Sequence, residues 1–239
     1  MLSIITVSKD DLAGLGATLR SITTQKFMPA EVIVITKGTS NQISLVDHGI
    51  TNGTHVVQES VGISAAFNLG IKRAAGTWIQ FLNGGDVLAD VNALKILTTN
   101  ITDYANVVSS FAIDEKYGHK IPRTIPRTST EKLYISHQAS IFRKALFDKW
   151  GNYSENYKIR MDLEWQVRLL TAMRLVFVDY ITVVMKSDGL STSRPIKTSL
   201  EEIRALAEYK NNYRKLTEVA LLRLPFRMLR HVYRSSREF

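Results

Sequence analysis

Asp86 ends an apolar stretch of this chain inside a glycine turn, Asn83-Gly84-Gly85-Asp86, where a carboxylate is placed to do chemistry. In open α/β sheets, ligands gather beyond the carboxyl ends of the strands. A hard cation such as Mg²⁺ or Mn²⁺ takes oxygen ligands and shares them with substrate phosphates. Asp86 is therefore a candidate metal ligand, with Asn83 able to add a neutral oxygen; the plain alternative is an Asp and an Asn that fix a turn. Ser191, Thr192 and Arg194 follow Gly189 and offer hydroxyl and guanidinium donors suited to phosphate, or simply form a polar loop. The pair His137-Gln138 stands at the entry to the apolar run Ala139 to Phe142. Asp162 opens a helical segment, where a carboxylate ordinarily serves the helix dipole. Glu164 points to another face and is spaced to pair with Arg168 at i+4.

The elements that must hold these residues alternate between strand-like and helix-like runs, the pattern of a parallel sheet with crossover helices. Ile4 to Val7 reads as the first strand, Leu12 to Thr24 as a helix, Glu31 to Thr36 as the second strand, and Val56-Val57 as a short third. A helix from Ser64 to Ala75 follows, with Gly76 as its cap. Trp78 to Leu82 then reads as a strand buried in a parallel sheet. Val91 to Thr99 is helical, Val107 to Ile113 a strand, and Tyr117 to Thr130 a loop or hairpin over the cleft. Ala145 to Trp150 and Met161 to Met173 are helices, and Leu175 to Val184 is a strand pair or one bent strand.

With 239 residues and 45% hydrophobic composition, one globular domain with a sizeable core is expected, or one plus an appendage. No apolar run approaches the roughly 20 residues that span a bilayer, and the N-terminus lacks the order of a signal peptide. The absence of cysteine excludes disulfides and thiolate metal sites and fits a cytoplasmic protein. A net charge of +9 implies an anionic partner, a nucleotide-sugar or a lipid surface. Neither an RNA-binding aromatic motif nor a zinc-finger spacing is present, so nucleic acid is not expected. Leu200 to Lys215 reads as a helix, and Val219 to Arg237 as a second one broken near Pro225. Arg223, Arg227, Arg230, Arg234 and Arg237 share one face of the latter, beside Leu222, Phe226, Leu229 and Tyr233. That is the pattern of a basic amphipathic helix on anionic lipid; the alternative is a helix docked on the main domain or on a second copy of the chain.

The string from Gly62 to Asp86 resembles the family 2 glycosyltransferases. Gly62, Ala66, Asn68, Gly70, Ile71, Gly76, Phe81, Leu82, Asn83 and Asp86 match the family's Gly-x-x-x-Ala-x-Asn-x-Gly-Ile helix and the Phe-Leu-Asn-x-x-Asp that follows it. Leu2 to Val7 is similar to the opening strand, Ser136 to Phe142 to the His-Gln segment, and Met161 to Trp165 with Arg168 to the catalytic-Asp helix. Gly189 to Thr192 resembles a Gly-Gly-x-Ser-Thr loop. Ordered motifs over four-fifths of the chain, closest to small enzymes of bacterial exopolysaccharide assembly, are more specific than any one alone.

The resemblance implies an α/β GT-A-type nucleotide-diphospho-sugar transferase fold, with a mostly parallel central sheet flanked by helices. A catalytic domain over 1–198 and a basic C-terminal helical extension over 199–239 are expected. It implies an inverting, metal-assisted glycosyltransferase with a divalent cation (Mn²⁺ or Mg²⁺) on Asp86, Asp162 as catalytic base, and a nucleotide-diphospho-sugar donor. The substrate-binding positions expected from it are Thr6, Val7, Thr36, Asn68, Asn83, His137, Gln138, Trp165, Ser191 and Arg194. Trp165 either flanks the acceptor or is simply core. The acceptor implied is a lipid-linked saccharide, reached from the cytoplasmic face of the membrane, with homo-oligomerisation open. Acids usual in the family are replaced at Thr36, Asn41 and Ala65, and Lys37 adds a positive charge. These losses motivate an alternative: a silent, nucleotide- or partner-binding scaffold.

Overall fold

The computed structural model describes residues 1–60, 62–128, 131–187 and 189–208. In chain order it contains β1 (Leu2–Lys9), α1 (Leu12–Thr23), β2 (Glu31–Lys37), β3 (Gly53–Val57), α2 (Ile63–Arg73), β4 (Trp78–Asn83), β5 (Val87–Leu88) and α3 (Ala93–Thr99). β6 (Val107–Asp114), β7 (Lys120–Ile121), β8 (Ser140–Arg143), α4 (Ala145–Trp150), α5 (Met161–Leu169), β9 (Leu175–Met185), α6 (Leu190–Ser193) and α7 (Pro195–Glu208) follow. The strands form one sheet in the order β3-β2-β1-β4-β8-β6-β9-β5, with β7 on the margin of β6. β3, β2, β1 and β4 run parallel. β8 lies antiparallel between β4 and β6, and β9 returns parallel to β6.

Alternation along β1 explains why both faces of the sheet are covered. Ile5 and Val7 join Phe67, Ile71, Phe81 and Trp165 on the α2 and α5 side. Leu2 and Ile4 join Leu15, Leu19 and Ile22 of α1 and Leu94 and Leu97 of α3 on the other side. A sheet buried on both faces reads as a continuous apolar run, which is why the early strands were legible. The order also places the site. The chain steps from β1 outward to β2 and β3, then returns to put β4 on the opposite flank of β1. The crevice at the carboxyl ends of β1 and β4 is thus the topological switch point.

Several boundaries differ from the sequence reading. α2 stops at Arg73 with Ala74 as its cap residue, so Gly76 does not end the helix. Gly76 is glycine because a Cβ there would meet Ser3 Oγ at 2.3 Å and Ser3 N at 2.8 Å, where the chain passes under β1. β4 is parallel to β1 but antiparallel to β8, so its surroundings are mixed. Leu175–Met185 is one strand with irregular register against Phe111 of β6, the second of the two alternatives read from the sequence. The segment read as a loop near Ser191 contains a helical turn, α6. α7 starts at Pro195, suited to a first helical position, and runs across the expected 198/199 boundary. It buries Glu201, Glu202, Ala205 and Leu206, and Leu206 packs on Leu163 and Val167 of α5. The basic stretch Val219 to Arg237 lies outside the described residues.

Candidate functional site

The turn after β4 lies at the switch point. Gly85 has φ +103°, a conformation that favours glycine, and a Cβ there would come within 2.6 Å of Lys186 Cδ. This turn lets Asp86 fold back on itself. Asp86 Oδ2 accepts from the Asn83 backbone N–H (3.2 Å) and from Asn83 Nδ2 (2.9 Å), while Oδ1 accepts from the Lys186 backbone N–H (3.0 Å). Thr18 Oγ1 of α1 donates to the Asp86 carbonyl at 2.8 Å and accepts from Gly85 N at 2.9 Å. Lys186 Nζ then reaches Asp11 at 2.8 Å, closing the turn against the start of α1. Burial pushes the Asp86 carboxyl up to about 6, against the pull of its Lys186 and Asn83 hydrogen bonds.

Asp86, expected as a metal ligand, is engaged in the turn itself. Oδ2 accepts from two N–H groups and Oδ1 from one, the carboxylate is 3% exposed, and the Lys186 ammonium lies beside the same turn. Among the described residues no three acidic, His or Cys side chains gather to hold a cation. The groups present form a clasp that fixes the turn around Asp86. Asn83 shares in the clasp through its amide nitrogen; its Oδ1 is buried without a partner.

A second group of residues is hung from β4 by Phe81. His137 stacks on the Phe81 ring at 4.8 Å, and His137 Nε2 lies 2.6 Å from the Tyr153 hydroxyl. Tyr153 is fixed by Asn68, whose Nδ2 donates to the Tyr153 carbonyl (2.9 Å) and whose Oδ1 accepts from its N–H (3.0 Å). Burial pulls the His137 imidazole down to about 4, partly opposed by the nearby Asp162 carboxylate. Burial and Asp162 together push the Tyr153 hydroxyl well above its ordinary value. His137 is therefore neutral at pH 7. Asp162 sits half-buried in the first turn of α5, accepting from Leu163 N at 2.8 Å. Glu164 turns away, as its spacing implied, and pairs with Arg168 at 2.8 Å.

The start of α5 is held by α7. Glu201 Oε1 accepts from Lys158 N (3.1 Å), and Oε2 accepts from Ile159 N (2.8 Å) and Arg160 N (2.9 Å). Glu202, fully buried, meets Arg160 at 3.7 Å and the Tyr134 hydroxyl at 3.2 Å. The sequence reading missed Tyr153, Glu201 and Lys186. Glu201 and Glu202 were in view as part of a helix, but nothing local says which loop that helix meets.

Other expected contacts are corrected by burial. Trp165 is fully buried, its indole stacked 4.1 Å from Phe147 and its Nε1 donating to the Gly151 carbonyl, so it is core and not a platform for sugar. Val7 packs into the same core, and its carbonyl is taken by Gly84 N. Asn68 spends its amide on Tyr153 and acts by position. The side chains of Thr6 and Thr36 are fully buried; Thr36 bonds Asn41 and His55 at 2.8 Å each. His137 is 3% exposed and bonds Tyr153 rather than opening to the cleft. Gln138 is half-buried, its carbonyl accepting from Gln80 Nε2 at 2.9 Å. Ser191 and Arg194 are exposed beyond β9, and neither side chain bonds Asp86 or Asp162. Lys37 uses its ammonium to hold the Glu59 and Ser60 carbonyls before α2.

A mixed α/β sheet flanked by helices matches the fold of GT-A glycosyltransferases. Solved structures with the same fold include S. aureus TarS, with TM-score 0.69, 16% identity, and coverage of 92% of this chain and 42% of that one. A mannosyltransferase from Pyrobaculum calidifontis, solved with GDP-Man and Mn²⁺, gives TM-score 0.69 at 12% identity over 97% of this chain and 73% of that one. The model of glycosyl transferase family 2 matches residues 3–159, and the chain belongs to that family and is a glycosyltransferase. A protein named "Uncharacterized glycosyltransferase Rv1514c" in Mycobacterium tuberculosis is 26% identical over 249 residues, covering 99% of this chain and 91% of its own. A "PGL/p-HBAD biosynthesis glycosyltransferase" of Mycobacterium bovis is 26% identical over 221 residues, covering 85% and 84%.

Proposed function

We propose that this glycosyltransferase moves one sugar, with inversion, from a nucleotide-diphospho-sugar to a hydroxyl of a lipid-linked saccharide. The donor lies in the crevice at the carboxyl ends of β1 and β4. Asp162 takes the proton of the acceptor hydroxyl as that oxygen bonds the anomeric carbon, and the bond from that carbon to the diphosphate oxygen breaks. The observation that carries this reading is the setting of Asp162. It is a half-exposed carboxylate in the first turn of α5, just after the loop whose Lys158, Ile159 and Arg160 N–H groups Glu201 holds, and its buried neighbour His137 stays neutral at pH 7. Holding a base in place before substrate arrives is worth much of the barrier.

Asp86 is assigned to the turn. Charge on the departing diphosphate is assigned to Lys9, whose side chain is exposed at the carboxyl end of β1. Solved relatives support the donor class: one TarS structure is a complex with UDP-GlcNAc, and the mannosyltransferase holds GDP-Man. The relative named for PGL/p-HBAD biosynthesis supports a glycolipid setting, and the basic tail is assigned to anionic lipid at the cytoplasmic face.

The test is a screen of nucleotide-sugars by thermal shift, followed by Asp162→Asn with the donor that binds. The variant should bind donor as the wild type does and lose turnover, because an amide keeps the shape and not the basicity. Wild-type turnover in Asp162→Asn would remove the base assignment. Donor binding with no turnover in the wild type would favour a scaffold.

A further inference from the structure

The opposite end of the sheet holds a second cavity, of about 340 Å³, that the transfer reaction does not use. It opens where β6 and β9 begin and where β8 ends beside Trp78, the first residue of β4. The catalytic crevice lies at the other ends of these strands. Arg143, Lys149, Trp150, Asn106, Thr171 and Arg174 line the cavity; three of them are cations, and none of its lining residues is acidic. Among the described residues no ion pair engages Arg143, Lys149 or Arg174. The nearest acid in sequence, Asp148, is exposed on α4.

Two N–H donors on this wall have no partner. Arg143 Nε and Trp150 Nε1 are both buried and unbonded. Arg143 itself is held: its guanidinium lies 5.0 Å over the Trp78 ring and Nη2 donates to the Ala105 carbonyl at 3.2 Å. Arg174 is steadied likewise, Nε donating to the Tyr104 carbonyl at 2.5 Å. Asn106 is spent on Ala172 and Arg174 and adds nothing further. A buried donor without an acceptor costs free energy, and here two such donors, one of them on Arg143, belong to a wall that carries three cations without an ion-pair partner among the described residues. The complement is a group rich in acceptor oxygens and negative charge. We propose that this cavity is a binding site for a phosphate group, distinct from the donor crevice, with Arg143, Lys149, Arg174 and the Trp150 indole N–H as its ligands. The phosphate comes from a small phosphate ester or from a lipid headgroup presented at this end of the molecule.

The indole N–H of Trp150 gives a local readout. The chain has three tryptophans, so three indole N–H resonances are expected, and Trp150→Phe assigns the one that matters. Two probes are titrated into the full chain: inorganic phosphate against chloride at matched ionic strength, and phosphatidylcholine vesicles doped with phosphatidic acid against undoped vesicles. A saturable shift of the Trp150 resonance with phosphate supports the site and a soluble source. A response to phosphatidic acid vesicles alone supports the site and a lipid source. In either case Lys149→Gln combined with Arg174→Gln should weaken the response about tenfold or more, the loss expected for charge-assisted bonds. Both substituted side chains are exposed, so the Trp165 resonance should stay in place and report an intact fold. No saturable response to either probe overturns the proposal, as does a response that the double variant leaves unchanged. A nucleotide-sugar bound at the other end leaves the Trp150 signal untouched, so failure here and failure of the donor reading are separable.

Discussion

Glu201→Ala tests whether α7 is part of the catalytic apparatus or only an appendage. Its carboxylate accepts from three consecutive backbone N–H groups, those of Lys158, Ile159 and Arg160, at 2.8 to 3.1 Å. Arg160 immediately precedes α5, and Asp162 is the second residue of that helix. Glu201 is 8% exposed, but the loop it holds is half-open, so water can remake part of what is lost. At about 1 kcal/mol net for each bond, Glu201→Ala should cost about 3 kcal/mol of unfolding free energy. Glu201→Gln keeps one acceptor oxygen, which can serve Ile159 and Arg160, and should cost only about 1 kcal/mol. Urea unfolding reads this directly: with a slope of about 2 kcal/mol per molar, the Ala midpoint should fall by more than about 1 M. Under conditions where both variants are folded, turnover should fall with Ala more than with Gln, since the loop that aims Asp162 is released. A Glu201→Ala protein within about 0.5 kcal/mol of wild type, with unchanged turnover, would refute the reasoning.

Two buried groups should pull stability in opposite directions with pH. The Asp86 carboxyl is raised from 3.8 to about 6, so its contribution is full below pH 3.8 and is lost as pH rises through about 6. The His137 imidazole is lowered from 6.5 to about 4, so its contribution is full above pH 6.5 and is lost as pH falls through about 4. Each shift is worth about 3 kcal/mol, so between pH 4 and 6 they nearly cancel in the wild type. Asp86→Asn should expose a stability that rises with pH, and His137→Gln one that falls; urea midpoints across that range check the signs, and like slopes in both variants would contradict the assignment. Truncation before Val219 should weaken binding to anionic liposomes, and high salt should mimic it, because basic residues near such a surface contribute about 1 kcal/mol each and are screened. Unchanged sedimentation with liposomes would remove the membrane role. A changed oligomeric state would instead favour docking between copies.

The early strands and the helices facing them were legible because burial on both sides writes an unbroken apolar run into β1, β2 and β4. The turn at Asn83 to Asp86 was legible because two glycines and an Asx pair have few other uses. The i+4 pairing of Glu164 with Arg168 was legible because helix geometry alone decides it. The use of those residues was not local. In sequence, a carboxylate in a glycine turn suits a cation as well as the plain clasp that local pattern favours. The choice was made by the Lys186 N–H, 100 residues away, which β9 brings to Asp86. Trp165 could stack on sugar or fill the core until Phe147 covered it at 4.1 Å. Asn68 matched a motif, but only the fold shows that its amide serves the Tyr153 backbone, 85 residues on. The sequence by itself determined the alternation of elements, the carboxylates available and the class of transferase. The tertiary structure decided which carboxylate is spent on the backbone and which is left half-open, because that depends on donors supplied by strands and helices far away in the chain.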